Sequence, residues 1–68
     1  MTVEEFKTLK RGVILNYYYS ELPNLCGLVG LLGIRLSKVH TVPVQILNPG
    51  PRYGDVVNLS IGYMSVVK

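Results

Sequence analysis

The sequence predicts a mainly β domain, in which a short N-terminal helix is followed by a small, strongly bent antiparallel sheet or barrel. Three observations carry this expectation. From Val13 onward β-branched and aromatic residues dominate, as they do where side chains pack on a pleated surface. Clusters of Gly, Pro, Asn and Ser separate these runs. The intervals between runs are also too short for the helical crossovers that parallel neighbours need. With 68 residues the chain has room for one domain, residues 1–68, with the helix at 2–11 and the strands within 13–67.

Thr2 followed by Glu5 forms a capping-box pattern, so the helix is placed over residues 2–11. Glu4 and Glu5 at its start and Lys7, Lys10 and Arg11 towards its end suit the helix dipole, and Gly12 stops it. Phe6 and Leu9, three apart, share a face that pins the helix to the domain, with Val3 beside them. Residues 13–19 form the first strand and residues 20–24, with Pro23, a loop.

Residues 25–38 fit either a buried strand or a helix. Gly27, Gly30 and Gly33 favour the strand, because each would cost a helix interior about 1 kcal/mol relative to alanine. Period-two reading puts Leu28, Leu32, Ile34 and Leu36 on the inward face, which leaves Val29 and Leu31 to the surface. Residues 41–47 repeat the alternation, with Val42, Val44 and Ile46 inward, and Pro43 marks the strand as an edge or a bulge because it has no N–H. Residues 48–54 hold two prolines and two glycines and form a loop. Residues 55–67 return to strand, with Val57, Leu59, Ile61, Tyr63 and Val67 inward and Gly62 bending or splitting the run.

A sheet of four or five strands in so short a chain must curl or pair with another copy, which makes an SH3-like or OB-like barrel the expected architecture. The order of elements is similar to that of SH3-like barrels, with Leu9-Lys10-Arg11-Gly12 before one strand and Gly27-Leu28-Val29-Gly30 opening the next.

Composition bears on function more than any motif does. The chain is 49% hydrophobic and 16% charged, with a mean hydropathy of +0.33. A domain of about 60 residues buries only about 60% of the surface its unfolded chain exposes. More apolar side chains are present than one small core holds, so some are expected to face a partner. Cys26 is the single cysteine and allows no disulfide within the chain, and the acidic start, Met1 to Glu5, lacks the bases and apolar run of a secretory signal. An intracellular, cytoplasmic protein is expected. The apolar run at residues 25–34 is too short for a bilayer span, which needs about 20 residues.

Catalytic groups are sparse. One histidine, His40, and Cys26 are the whole stock for a Cys-His pair, and with four carboxylates in all they make no metal set of familiar spacing. The glycine series lacks both the Lys-Ser/Thr ending of a phosphate loop and a βαβ context. No catalytic, metal or cofactor site is expected.

The leading expectation is a non-catalytic interaction protein working through protein–protein contacts, as a homo-oligomer, a subunit of an assembly or an inhibitor of a larger protein of the kind viruses and mobile elements encode. Tyr18, Val29, Leu31, Pro49, Pro51, Arg52 and Tyr53 are its candidate contact residues. Tyr18 belongs to the consecutive Tyr17-Tyr18-Tyr19, at least one ring of which must reach the surface of a strand, and Tyr53 lies beside Arg52 in the Pro/Gly loop. The first alternative is a small barrel that binds nucleic acid, with tyrosines stacking on bases and Lys7, Lys10, Arg11, Arg35, Lys38, His40 and Arg52 meeting phosphates. The net charge of +3 permits this, although the bases, Lys68 included, are scattered. The second alternative sequesters a small anionic ligand between copies, through Arg35, His40 and Arg52.

Overall fold

A computed structural model describes residues 1–67; Lys68, counted above among the bases, lies outside the described residues. The fold is mainly β, with one short helix, α1 (Val3–Phe6), and five strands: β1 (Ile14–Tyr17), β2 (Gly27–Leu31), β3 (Thr41–Ile46), β4 (Val56–Ser60) and β5 (Met64–Val66). All pairings are antiparallel, in the spatial order β4-β3-β2-β1-β5.

This order dictates a curl. β4 and β5 are opposite edges of the sheet, yet only the 3₁₀ turn Ile61–Tyr63 joins them. Four strand spacings of about 4.8 Å would part the edges of a flat sheet by roughly 19 Å. Three 3₁₀ residues rise only about 6 Å. The sheet therefore bends round until its edges approach, although β4 and β5 do not pair and the ladder stays open. Inside the bend lie Leu15, Tyr17, Val29, Leu31, Val42, Val44, Ile46, Leu59, Ile61 and Met64, with Phe6 brought in from α1.

The capping box forms as expected: the Glu5 N–H donates to Thr2 Oγ1 at 3.1 Å and the Thr2 N–H to Glu5 Oε1 at 3.3 Å. The helix is nevertheless far shorter than residues 2–11. Thr8 N–H already bonds back only three residues, to the Glu5 carbonyl, and its hydroxyl takes the same carbonyl at 2.7 Å. That side-chain bond competes with helix continuation. Lys10 and Arg11 consequently fall in the turn before β1 rather than at a helix end. Phe6 is buried and Val3 and Leu9 pack against the core, as the spacing predicts.

The facing of β2 is the reverse of the expected one. Val29 and Leu31 are 0% and 1% exposed, whereas Leu28 and Leu32 are each 42% exposed and Ile34 51%. Register explains it: Val29 lies opposite both Leu15 and Ile46, and Leu31 opposite Val44, all core residues. The strand also ends at Leu31 instead of running to residue 38. Pro43 is the cause. β3 is an inner strand between β2 and β4, so the expectation of an edge is overturned. The Pro43 carbonyl accepts from Leu32 N–H, so its ring nitrogen faces the same side, where it has no donor to continue the ladder. A Cβ on Gly33 would come within 2.9 Å of the Pro43 ring.

The alternation of β3 is as predicted, with Val42, Val44 and Ile46 buried. Gly62 does split the last run, and the 3₁₀ turn around it shifts the phase, so that Met64 enters the core while Tyr63 and Val67, expected inside, are exposed.

Asn48 clasps the start of β2. Its Oδ1 accepts from Leu28 N–H at 3.1 Å and its Nδ2 donates to the Cys26 carbonyl, so the amide spans Gly27. Gly27 adopts φ +111°, and a Cβ there would overlap the Asn48 amide. Gly27→Ala is expected to cost about 2–3 kcal/mol, since it adds backbone strain and opens the clasp. Gly12→Ala, at φ +88° with open space around it, is expected to cost only about 1 kcal/mol. Urea unfolding of the two variants checks the difference.

A candidate interaction surface

Two exposed apolar surfaces emerge. The first is a tyrosine cluster where β1 leaves the sheet. β1 ends with Tyr17 inside, so Tyr18 and Tyr19 continue beyond it, and the 3₁₀ turn presents Tyr63 to them. The Tyr18 and Tyr63 rings meet edge to face, with centroids 6.5 Å apart at 81°, while Tyr19 stacks on Tyr63 at 4.2 Å and 23°. Tyr18 N–H donates to the Tyr63 carbonyl at 3.0 Å and its hydroxyl to the Gly62 carbonyl at 3.3 Å. These bonds hold rings that solvent still reaches: Tyr18 is 49% and Tyr63 40% exposed.

The Tyr19 hydroxyl donates to Glu21 Oε2 at 2.7 Å, and this bond raises the Tyr19 pKa above its ordinary value by favouring the protonated phenol. Burial is the main cause of a similar rise at Tyr17. Both shifts make the folded state hold its phenol protons more tightly. The stability they contribute is complete below the ordinary tyrosine pKa of about 10 and is lost as pH rises through the higher folded values. Ultraviolet titration of Glu21→Gln is expected to show one tyrosine ionising at lower pH than in the parent; an unchanged curve would remove the assigned cause.

The second surface is the outward face of the sheet. Cross-strand register aligns Ile14, Gly30, Gln45 and Val56 in one row and Asn16, Leu28 and Ser65 in the next. Leu47 leans towards Gly30, where a Cβ would lie 3.4 Å from its Cδ1. Among the described residues, none placed in a strand carries a charge. The charged side chains sit on α1, turns and loops.

The candidate contact residues divide. Tyr18 belongs to the tyrosine cluster, and Pro49, Pro51, Arg52 and Tyr53 lie exposed in the loop between β3 and β4. Val29 and Leu31 are core residues and leave the set. The bases do not converge into one patch. Arg52 Nε donates to Asp55 Oδ2 at 2.6 Å, and Lys7 approaches Glu4 at 3.5 Å, both on the surface, where such pairs contribute little to stability. Lys10, Arg11, Arg35, Lys38 and His40 are exposed, and His40 occupies the turn before β3 with φ +59°. His40 and Arg52 thus stand beyond opposite ends of β3, about 20 Å apart by the length of a six-residue strand. Cys26 also lies at the far end from His40, and its thiol donates to the Tyr19 carbonyl at 3.0 Å. Among the described residues, no three His, Cys, Asp or Glu side chains gather where they would hold a metal ion. No helix of the described residues is long and apolar enough to cross a membrane.

Sequence reasoning missed Tyr63, Leu28 and Leu32 as surface residues. For Tyr63 the available signal was Gly62, because a turn there reverses the facing that follows. No protein-family model, curated protein or solved structure matches the chain.

Proposed function

We propose that the chain is a non-catalytic interaction protein that acts through protein–protein contacts, as a homo-oligomer, an assembly subunit or an inhibitor of a larger protein. One observation carries the reading: β2, the middle strand of five, is apolar along its whole length, with Val29 and Leu31 in the core, Leu28 exposed on its outward side and Leu32 exposed just beyond its end. An antiparallel sheet with one face in water ordinarily turns polar side chains outward, so apolar ones at the outward side of its central strand depart from that pattern. Fully burying a leucine side chain contributes about 1.5–3 kcal/mol, and Leu28 and Leu32, each 42% exposed, retain roughly half of that for a partner to gain. The tyrosine cluster offers a second, more polar contact.

Binding of nucleic acid is the lesser reading, because Arg52 and Lys7 already face acids and the strands offer no base to follow a phosphate backbone. We read the curled sheet as SH3-like rather than OB-like. Its support is the run of neighbours β1 to β4, the return of β5 beside β1, and the 3₁₀ turn between β4 and β5.

Site-specific crosslinking in the native cell tests the function. A photoreactive residue in place of Leu32 is expected to give discrete protein adducts, and the same residue in place of Glu4 to give none. Adducts to nucleic acid, or none from Leu32, would overturn the reading.

A further inference from the structure

The tyrosine cluster carries a charge pattern that selects its ligand. Of the four carboxylates of the chain, Glu4 and Asp55 face Lys7 and Arg52, and Glu5 closes the capping box. Glu21 stands beside the rings instead. Its Oε2 accepts from the Tyr19 hydroxyl, whereas Oε1 meets no donor among the described residues. A carboxylate has room for about four hydrogen bonds, so most of its capacity is unused. The segments that build the cluster, residues 12–34 and 53–67, contain no lysine, arginine or histidine. The Met1 ammonium lies at the Met64 carbonyl, 3.1 Å away, and makes no ion pair with Glu21. In a chain of net charge +3, an acid without a base beside exposed aromatic rings is a place for a cation from outside.

We propose that Tyr18, Tyr63 and Glu21 receive an arginine side chain presented by a partner protein, with the guanidinium against the exposed rings and one edge on Glu21 Oε1. Tyr18 and Tyr63 leave 49% and 40% of their surface in water, and an aromatic face attracts a cation held within about 6 Å of its centre. Ring and acid lie within reach of one side chain: Tyr19 stacks on Tyr63 at 4.2 Å, and Glu21 takes the hydroxyl of that same Tyr19 at 2.7 Å. A planar guanidinium lies flat on a ring while its edge forks onto a carboxylate. A lysine ammonium, having no plane, makes only half of this contact. A nucleobase would also stack here, but its phosphate would meet Glu21 and be repelled. That the arginine belongs to a protein rests on the reading above; the cation site itself does not depend on Leu28 or Leu32. Solvent reaches the whole site, so one arginine binds weakly, and salt loosens it further by screening the exposed charges.

Titration of the isotope-labelled chain with the blocked peptide acetyl-Ala-Arg-Ala-amide at low salt tests it. The amide signals of Tyr18, Glu21 and Tyr63 are expected to move as the peptide rises to about 50 mM, while those of Gly12 and Lys38 stay in place. The same peptide with citrulline, which keeps the shape and loses the charge, is expected to bind at least about fivefold more weakly, and the lysine peptide at least about twofold more weakly. Glu21→Gln keeps an acceptor for the Tyr19 hydroxyl and is expected to weaken the arginine peptide about threefold. Glu4→Gln, which changes the net charge equally, is expected to leave binding as it was. Unmoved tyrosine signals at about 50 mM peptide overturn the site, as does equal binding of the citrulline or lysine peptide, or equal binding by Glu21→Gln and the parent. Tighter binding of an oligothymidylate than of the arginine peptide at the same signals overturns it in favour of base stacking. If the arginine peptide fails and Leu32 still yields protein adducts, this site falls and the wider function stands; if the peptide binds and Leu32 yields none, the site stands without that function.

Discussion

Val29→Asp is expected to unfold the domain, while the neighbouring Leu28→Lys leaves it folded. The two positions are adjacent in sequence and both are apolar, yet they face opposite sides of the central strand, at 0% and 42% exposure. An aspartate at residue 29 would sit between Leu15 and Ile46, in a core that holds no cationic side chain to pair with it. Burying an unpaired carboxylate costs several kcal/mol, and the group would take up a proton rather than stay charged. A domain of this size has only about 3–5 kcal/mol in hand, so the loss is decisive. A lysine at residue 28 keeps its charge in water and lays its methylenes along the sheet. Circular dichroism and one-dimensional proton spectra of the two variants separate them at once. A folded Val29→Asp would mean that β2 faces the other way.

Phe6→Ala is expected to cost about 3–5 kcal/mol, the usual range for emptying a buried phenylalanine site. Phe6 is the one residue of α1 that enters the core, and it does so from a helix only four residues long. So short a helix has no stability of its own, because nucleation consumes more than a single turn returns. Phe6 therefore holds α1 in place, while α1 and its capping box aim Phe6 into the bend. A domain with only about 3–5 kcal/mol in hand is then left at or below its midpoint at room temperature, so circular dichroism should show Phe6→Ala largely unfolded. Thr2→Ala, which weakens only the cap, should cost about 1 kcal/mol, so the two variants distinguish plug from cap.

Some of the fold was legible in the residues and some was not, for identifiable reasons. β3 alternates between Val42, Val44 and Ile46 on one side and Thr41, Pro43 and Gln45 on the other, and its facing is unambiguous. β2 has no such contrast. Gly-Leu-Val-Gly-Leu is apolar at every position, so period two identifies a strand without saying which side is in, and only the pairing with β1 and β3 settles it. Pro43 misled in the same way. A missing N–H matters only on the side it faces, and that side lies beyond the end of β2. The tyrosine cluster was half visible. Three consecutive tyrosines announce a surface ring, but Tyr63 joins them across more than forty residues of chain, through a 3₁₀ phase shift that alternation alone does not predict.

The placement of β5 beside β1 governs the order of events in time. β1 with β2, β2 with β3 and β3 with β4 are neighbours along the chain, whereas Leu15 must find Val66. Closing that long loop carries the largest entropic penalty of any ladder here, because the penalty grows with the logarithm of the separation. The hairpins therefore form early, and the β1–β5 seam zips last, near the top of the folding barrier or beyond it. Stopped-flow refolding should show variants at β5 speeding unfolding while barely slowing folding, with variants in β2 and β3 doing the reverse.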